Sequence, residues 1–164
     1  MELEEFANLL RFENANLEAV REEEPFLDDA LTYIVMALAH DCMAWEDPMK
    51  GMEANLELID SVARYASLIS ERWKPEGVLV FGNGESMTQE NYQSLFDRSK
   101  GLRDALLKQH LDSYGVGNEE MAYRETNTCL TYMIAIGCAR STDLIGSLAY
   151  VDRTFRDIMS QLTS

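Results

Sequence analysis

Two histidines, three cysteines and a series of helix-borne carboxylates are the groups through which this chain could do chemistry, and their spacing decides what they can do together. His40-Asp41-Cys42 sets an imidazole, a carboxylate and a thiol side by side. Successive helical residues diverge by about 100°, so the three cannot converge on one ion. His40 projects with Asp29, Tyr33 and Met36, away from the apolar stripe of its own helix. His110 falls instead on the apolar face of its helix with Tyr92, Phe96, Leu106 and Tyr114, and Arg103 lies seven residues earlier on the same side. A guanidinium and an imidazole on such a face need acceptors, because unpaired buried charge is costly. Either a carboxylate from another helix closes a structural network there, or Arg103 and His110 form an anion or interface site. Cys129 and Cys138 stand nine residues apart, on opposite faces of one helix, and cannot bridge each other. With Cys42 they are expected to be reduced, buried thiols.

Glu57-Leu58-Ile59-Asp60 is the one pattern with a hard-cation spacing. Two carboxylates one helical turn apart can share Mg²⁺. The E-x-x-D resembles one half of the metal signature of the all-α nucleotide pyrophosphatases of the MazG and dUTPase type, over four residues. That signature implies a second pair, E-x-x-E, on the preceding helix, where this chain has Asp28, Asp29, Asp41 and Glu46 in other spacings. Glu53, Glu57, Asp60, Arg64 and Glu71 also cluster opposite Leu56, Ile59, Val62 and Ala66, as a solvated helix face does. The sequence contains no C-x-x-C, H-x-x-x-H, E-x-x-H or G-x-S-x-G, and Gly82-Asn83-Gly84-Glu85-Ser86 lacks the lysine of a phosphate-binding loop. No catalytic residue, metal or cofactor is expected.

Charge is the outlier. The 164 residues carry a formal net charge of −15. Residues 1–60 hold 16 acidic and 3 basic side chains, net −13, and residues 61–164 hold 13 and 11, net −2. Direct nucleic-acid binding, which needs Lys and Arg against phosphate, is disfavoured; a basic protein or peptide surface is the complement. Glu18, Glu22, Glu23, Glu24, Asp28 and Asp29 concentrate at the junction of the first two helices, beyond what capping a helix dipole requires, and are expected to bind that partner.

These groups must be positioned by helices. Apolar periodicity and breakers predict six: about 2–23, 26–46, 52–73, 88–114, 119–139 and 142–162. The first carries Leu3, Phe6, Leu10, Leu17 and Val20 on one face; the second, the most apolar, packs Leu27, Leu31, Ile34, Val35, Leu38, Cys42 and Trp45. Asp47-Pro48-Met49-Lys50-Gly51 is read as a break between helices two and three. Val78-Leu79-Val80-Phe81 is a short extended segment with no partner strand. In the last helix, Leu144, Leu148, Val151, Phe155, Ile158 and Leu162 step as a coiled-coil seam, available to intramolecular packing or to a homodimer through helix 142–162.

The expectation is therefore a single all-α domain over 1–164, a compact bundle of about six helices. The longest apolar run, residues 34–39, falls far short of a membrane span of about 20 residues. The first residues lack the basic flank and apolar stretch of a secretory signal, so a cytoplasmic location is expected. In function the expectation is a non-enzymatic acidic binding protein of inhibitor, immunity or antagonist type. The alternatives are a metal-dependent nucleotide phosphohydrolase using Glu57 and Asp60, and a structural homo-oligomer.

Overall fold

Helices form where the periodicity demands them, and the computed structural model describes residues 3–23, 30–73, 77 and 89–164. Among these residues lie six helices and no strand: α1 (Leu3–Glu23), α2 (Ala30–Met43), α3 (Pro48–Arg72), α4 (Gln89–Tyr114), α5 (Glu119–Ala139) and α6 (Leu144–Thr163). The extended segment expected at 78–81 lies outside the described residues. No described helix is long and apolar enough to cross a membrane.

Two helices occupy the centre. α2 and α5 pack on each other, and each also packs on α1, α3, α4 and α6. α5 is apolar nearly all round over its second half, and Cys129–Thr131 and Met133–Cys138 are buried there. In α2, twelve of fourteen residues are buried, which corrects the expectation of one core stripe with His40, Tyr33 and Met36 on an outer side. Tyr33 and Met36 are buried as deeply as Ile34 and Leu38 because outer helices cover α2 on every side.

The outer helices behave as amphipathic helices do. In α6, Val151, Phe155 and Ile158 are buried in the chain's own core, and Leu144, Leu148 and Leu162 pack partly buried against it. The coiled-coil seam thus faces inward, onto α2, α3 and α5. In α3 the buried line runs Gly51, Asn55, Ile59, Val62, Ala66 and Ile69, while Ala63 is exposed.

Asp47-Pro48 starts α3 instead of breaking the chain. The Asp47 carboxylate accepts hydrogen bonds from the backbone N–H groups of Met49 (3.1 Å) and Lys50 (3.5 Å). Pro48 occupies the first helical position, where no N–H donor is required. Gly51 is consequently helical, four residues beyond the cap. A Cβ there would lie 3.1 Å from both the Cys42 carbonyl oxygen and Trp45 Cγ, so its absence lets α3 close on the end of α2.

Candidate functional site

At the junction of α1 and α2, Glu18 turns inward. Its carboxylate forms an ion pair with the guanidinium of Arg140, a residue only 4% exposed at the end of α5. Asn14, one turn earlier on α1, accepts a second hydrogen bond from Arg140 at 3.3 Å. A buried cation requires such acceptors, so Glu18 serves the fold. Glu22 is exposed and Glu23 ends α1. Glu24, Asp28 and Asp29 lie outside the described residues.

Arg103 and His110 both meet partners from central helices. Arg103 Nε lies 3.6 Å from Oδ1 of Asp41, a wholly buried carboxylate on α2, and its guanidinium also pairs with the adjacent Asp104. The contact with Asp41 is an ion pair too long for a good hydrogen bond. Burial pushes the Asp41 carboxyl up to about 7, against the opposing pull of Arg103 and the Trp45 indole. His40 stands edge-on to Phe96 of α4, with ring centroids 4.2 Å apart, and burial lowers its pKa.

His110 hydrogen-bonds Thr126 of α5 through Nδ1, at 2.9 Å. The Thr126 hydroxyl already donates to the Ala122 carbonyl at 2.8 Å, so Nδ1–H must be the donor to Thr126. Nε2 is then an acceptor, and it faces the Cys129 sulfur at 3.8 Å. Beside that thiol lies Glu13 of α1, wholly buried, its carboxyl raised to about 7 by burial. A thiol next to an imidazole suggests a nucleophile, but the environment opposes one. Burial and the Glu13 carboxylate push the Cys129 thiol far up, while burial lowers His110, so the thiolate–imidazolium form is disfavoured on both sides. Cys42, which accepts from Asn55 Nδ2 at 2.9 Å, and Cys138 are likewise pushed up to about 12.

Glu57 and Asp60 are exposed on α3. Asp60 borders a groove of about 200 Å³ between α3 and α6, with Asp152 on the other side over Ile59, Val62, Leu148 and Val151. Among the described residues, no group of three or more His, Cys, Asp or Glu side chains is arranged to hold a metal ion.

A further depression is one the sequence did not single out. A cleft of about 680 Å³ opens where the α2–α3 corner meets the first turns of α5, lined by Ala44, Trp45, Glu46, Asp47, Lys50, Glu120 and Tyr123. Trp45 and Tyr123 are partly exposed there, and Glu46, Asp47 and Glu120 are exposed. Residues of the α2–α3 corner, of α3 and of α5, distant in sequence, converge only through the antiparallel packing of α2 on α5.

No family model, curated protein or solved structure matches this chain.

Proposed function

We propose that this chain is a non-enzymatic acidic binding protein, of inhibitor, immunity or antagonist type, that engages a basic protein surface, including one that otherwise holds nucleic acid. One observation carries the reading: thiols and imidazoles are buried or engaged inside, while most described carboxylates, Glu13 and Asp41 apart, stand at the surface. The three thiols are buried with raised pKa values, and both imidazoles are engaged at helix interfaces. Glu4, Glu5, Glu22, Glu46, Asp47, Glu53, Glu57, Asp60, Glu119 and Glu120 all stand exposed. Such a surface attracts cationic partners, steers their approach and makes affinity fall with salt.

The test uses an arginine-rich peptide titrated onto the full chain at low and at physiological ionic strength. Saturable binding that weakens as salt rises is expected. Replacing Glu22, Glu23 and Glu24 with Lys should leave the helical circular dichroism intact, slow association and flatten the salt dependence. A peptide that fails to bind at either ionic strength would overturn the basic-partner reading. A Mg²⁺-dependent release of phosphate or pyrophosphate, lost in Glu57→Ala with Asp60→Ala, would put a hydrolase in its place.

A further inference from the structure

We infer that the cleft between the α2–α3 corner and the start of α5 is the receptor for an arginine or lysine side chain of a basic polypeptide, held against the Trp45 and Tyr123 rings beneath the Glu46, Asp47 and Glu120 carboxylates. The inference rests on the basic-partner reading and gives it an address.

Three carboxylates against one ammonium, Lys50, leave the lining at −2. Two helix N-termini, those of α3 and α5, face this end and favour anions by about half a charge each, while the C-terminus of α2 returns about half a charge of the opposite sign. The balance stays negative, so a cation is the preferred guest. The capping bonds of Asp47 use Oδ1 alone. Glu120 pairs with Arg124 at 2.7 Å, but both side chains are more than two-thirds exposed. An exposed pair of this kind contributes little, and an incoming guanidinium can replace Arg124.

Aromatic rings and carboxylates together make a more selective site than carboxylates alone. A cation over the face of Trp or Tyr is attracted by the ring quadrupole, and the neighbouring anions fix its position. Trp45 is held from behind by the close approach of Gly51 and by its contact with buried Asp41, so the ring needs little ordering on binding. The volume exceeds what a bare inorganic cation fills and falls in the range of clefts that take small organic groups.

The experiment is a ¹⁵N-resolved titration of the full chain with an oligoarginine peptide, with an oligoglutamate peptide as control. A chain this acidic attracts any polycation, so position is the readout that decides. The Trp45 indole N–H is expected to shift saturably while that of Trp73 does not. The affinity should fall about tenfold or more in Glu46→Gln with Glu120→Gln, two exposed changes that leave the fold alone, and comparably in Tyr123→Leu. Oligoglutamate should leave Trp45 unmoved. If oligoarginine binds in a salt-sensitive way while the Trp45 signal stays fixed and the variants bind as the parent does, the cleft is not the receptor although the basic-partner reading stands. If oligoarginine does not bind at all, that reading falls and the inference with it. A Trp45 shift with oligoglutamate would assign the cleft to anions and overturn the inference alone.

Discussion

The two ends of the bundle carry similar residues to opposite effect. α1 and α5 run in the same direction, with Glu13 beside Cys129 and Glu18 beside Arg140, while α2 runs against α5 and brings Trp45 to Glu120 and Tyr123. The Glu18–Arg140 pair and the cleft therefore lie at opposite ends of α5, about 30 Å apart for a helix of 21 residues. At the first end an acidic side chain meets a buried guanidinium and is absorbed into the fold. Gly77, from the connection after α3, completes that enclosure: a Cβ there would approach the Arg140 guanidinium to 3.0 Å. At the second end the carboxylates stand clear of the core over two aromatic rings. A cluster of Glu and Asp in a sequence is thus not yet a surface. What faces it decides.

One core joins the two ends, and the largest expected effect tests whether it unfolds cooperatively. Phe155 is wholly buried in the shared core, so Phe155→Ala should cost about 3–5 kcal/mol in chemical denaturation, in a single transition. Two separated transitions would mean that the ends unfold independently. A folded variant that changed only the oligomeric state would assign the α6 seam to a dimer.

The contrast between the ends is sharpened by removing one carboxylate from each. Glu18→Ala leaves the buried Arg140 short of its anion and should cost about 2 kcal/mol, reduced from the fully buried case because Glu18 is itself 37% exposed. Glu46→Gln with Glu120→Gln at the cleft should change stability by less than about 0.5 kcal/mol. Equal costs at both ends, measured by urea titration, would erase the distinction.

A smaller, pH-dependent effect separates buried carboxylates from both surfaces. Glu13 has a folded-state pKa of about 7 against an ordinary 4.5, so the folded state holds its proton longer than the unfolded state does. Its contribution to stability is fully present below about pH 4.5 and is lost as pH rises through about 7. The two histidines, lowered by burial, act in the opposite sense: their contribution is present above their ordinary value of 6.5 and lost as pH falls. Glu13→Gln isolates the carboxylate. The variant should gain on the parent by about 2–3 kcal/mol between pH 5 and pH 8. A difference independent of pH in paired thermal melts would show that Glu13 is ionised in the folded state.

Much of the fold was legible beforehand because periodicity and breakers are local. Among the described residues six helices lie close to the expected ranges, with α3 starting four residues earlier. The start of α3 differs because Asp47-Pro48, a break by residue type, caps and opens the helix. Two buried carboxylates carry a signal in the sequence. Glu13 falls three residues after Leu10 and four before Leu17, and Asp41 three after Leu38 and four before Trp45, each on an apolar stripe. An acid in that position requires an inward partner, and both sit at helix interfaces. The same logic applies to Arg103 and His110 on α4. Arg103 found the carboxylate from another helix in Asp41, whereas His110 found a threonine and a thiol.

By itself the sequence determined that the chain is all-α, that α2 is its most apolar helix, and that its formal charge is concentrated in the first sixty residues. These are sums over local composition and spacing, and they need no knowledge of neighbours. Only the tertiary structure decided which of those charges reach solvent. Of the 16 acidic residues in that segment, Glu13 and Asp41 are buried and Glu18 is paired with Arg140, so the surface excess is smaller than the formal one. The cleft, too, exists only in three dimensions. Trp45 and Tyr123 are 78 positions apart, and nothing in the spacing of either announces the other. They meet because α2 packs antiparallel to α5, and because a glycine at position 51 lets α3 approach closely enough to hold the indole in place.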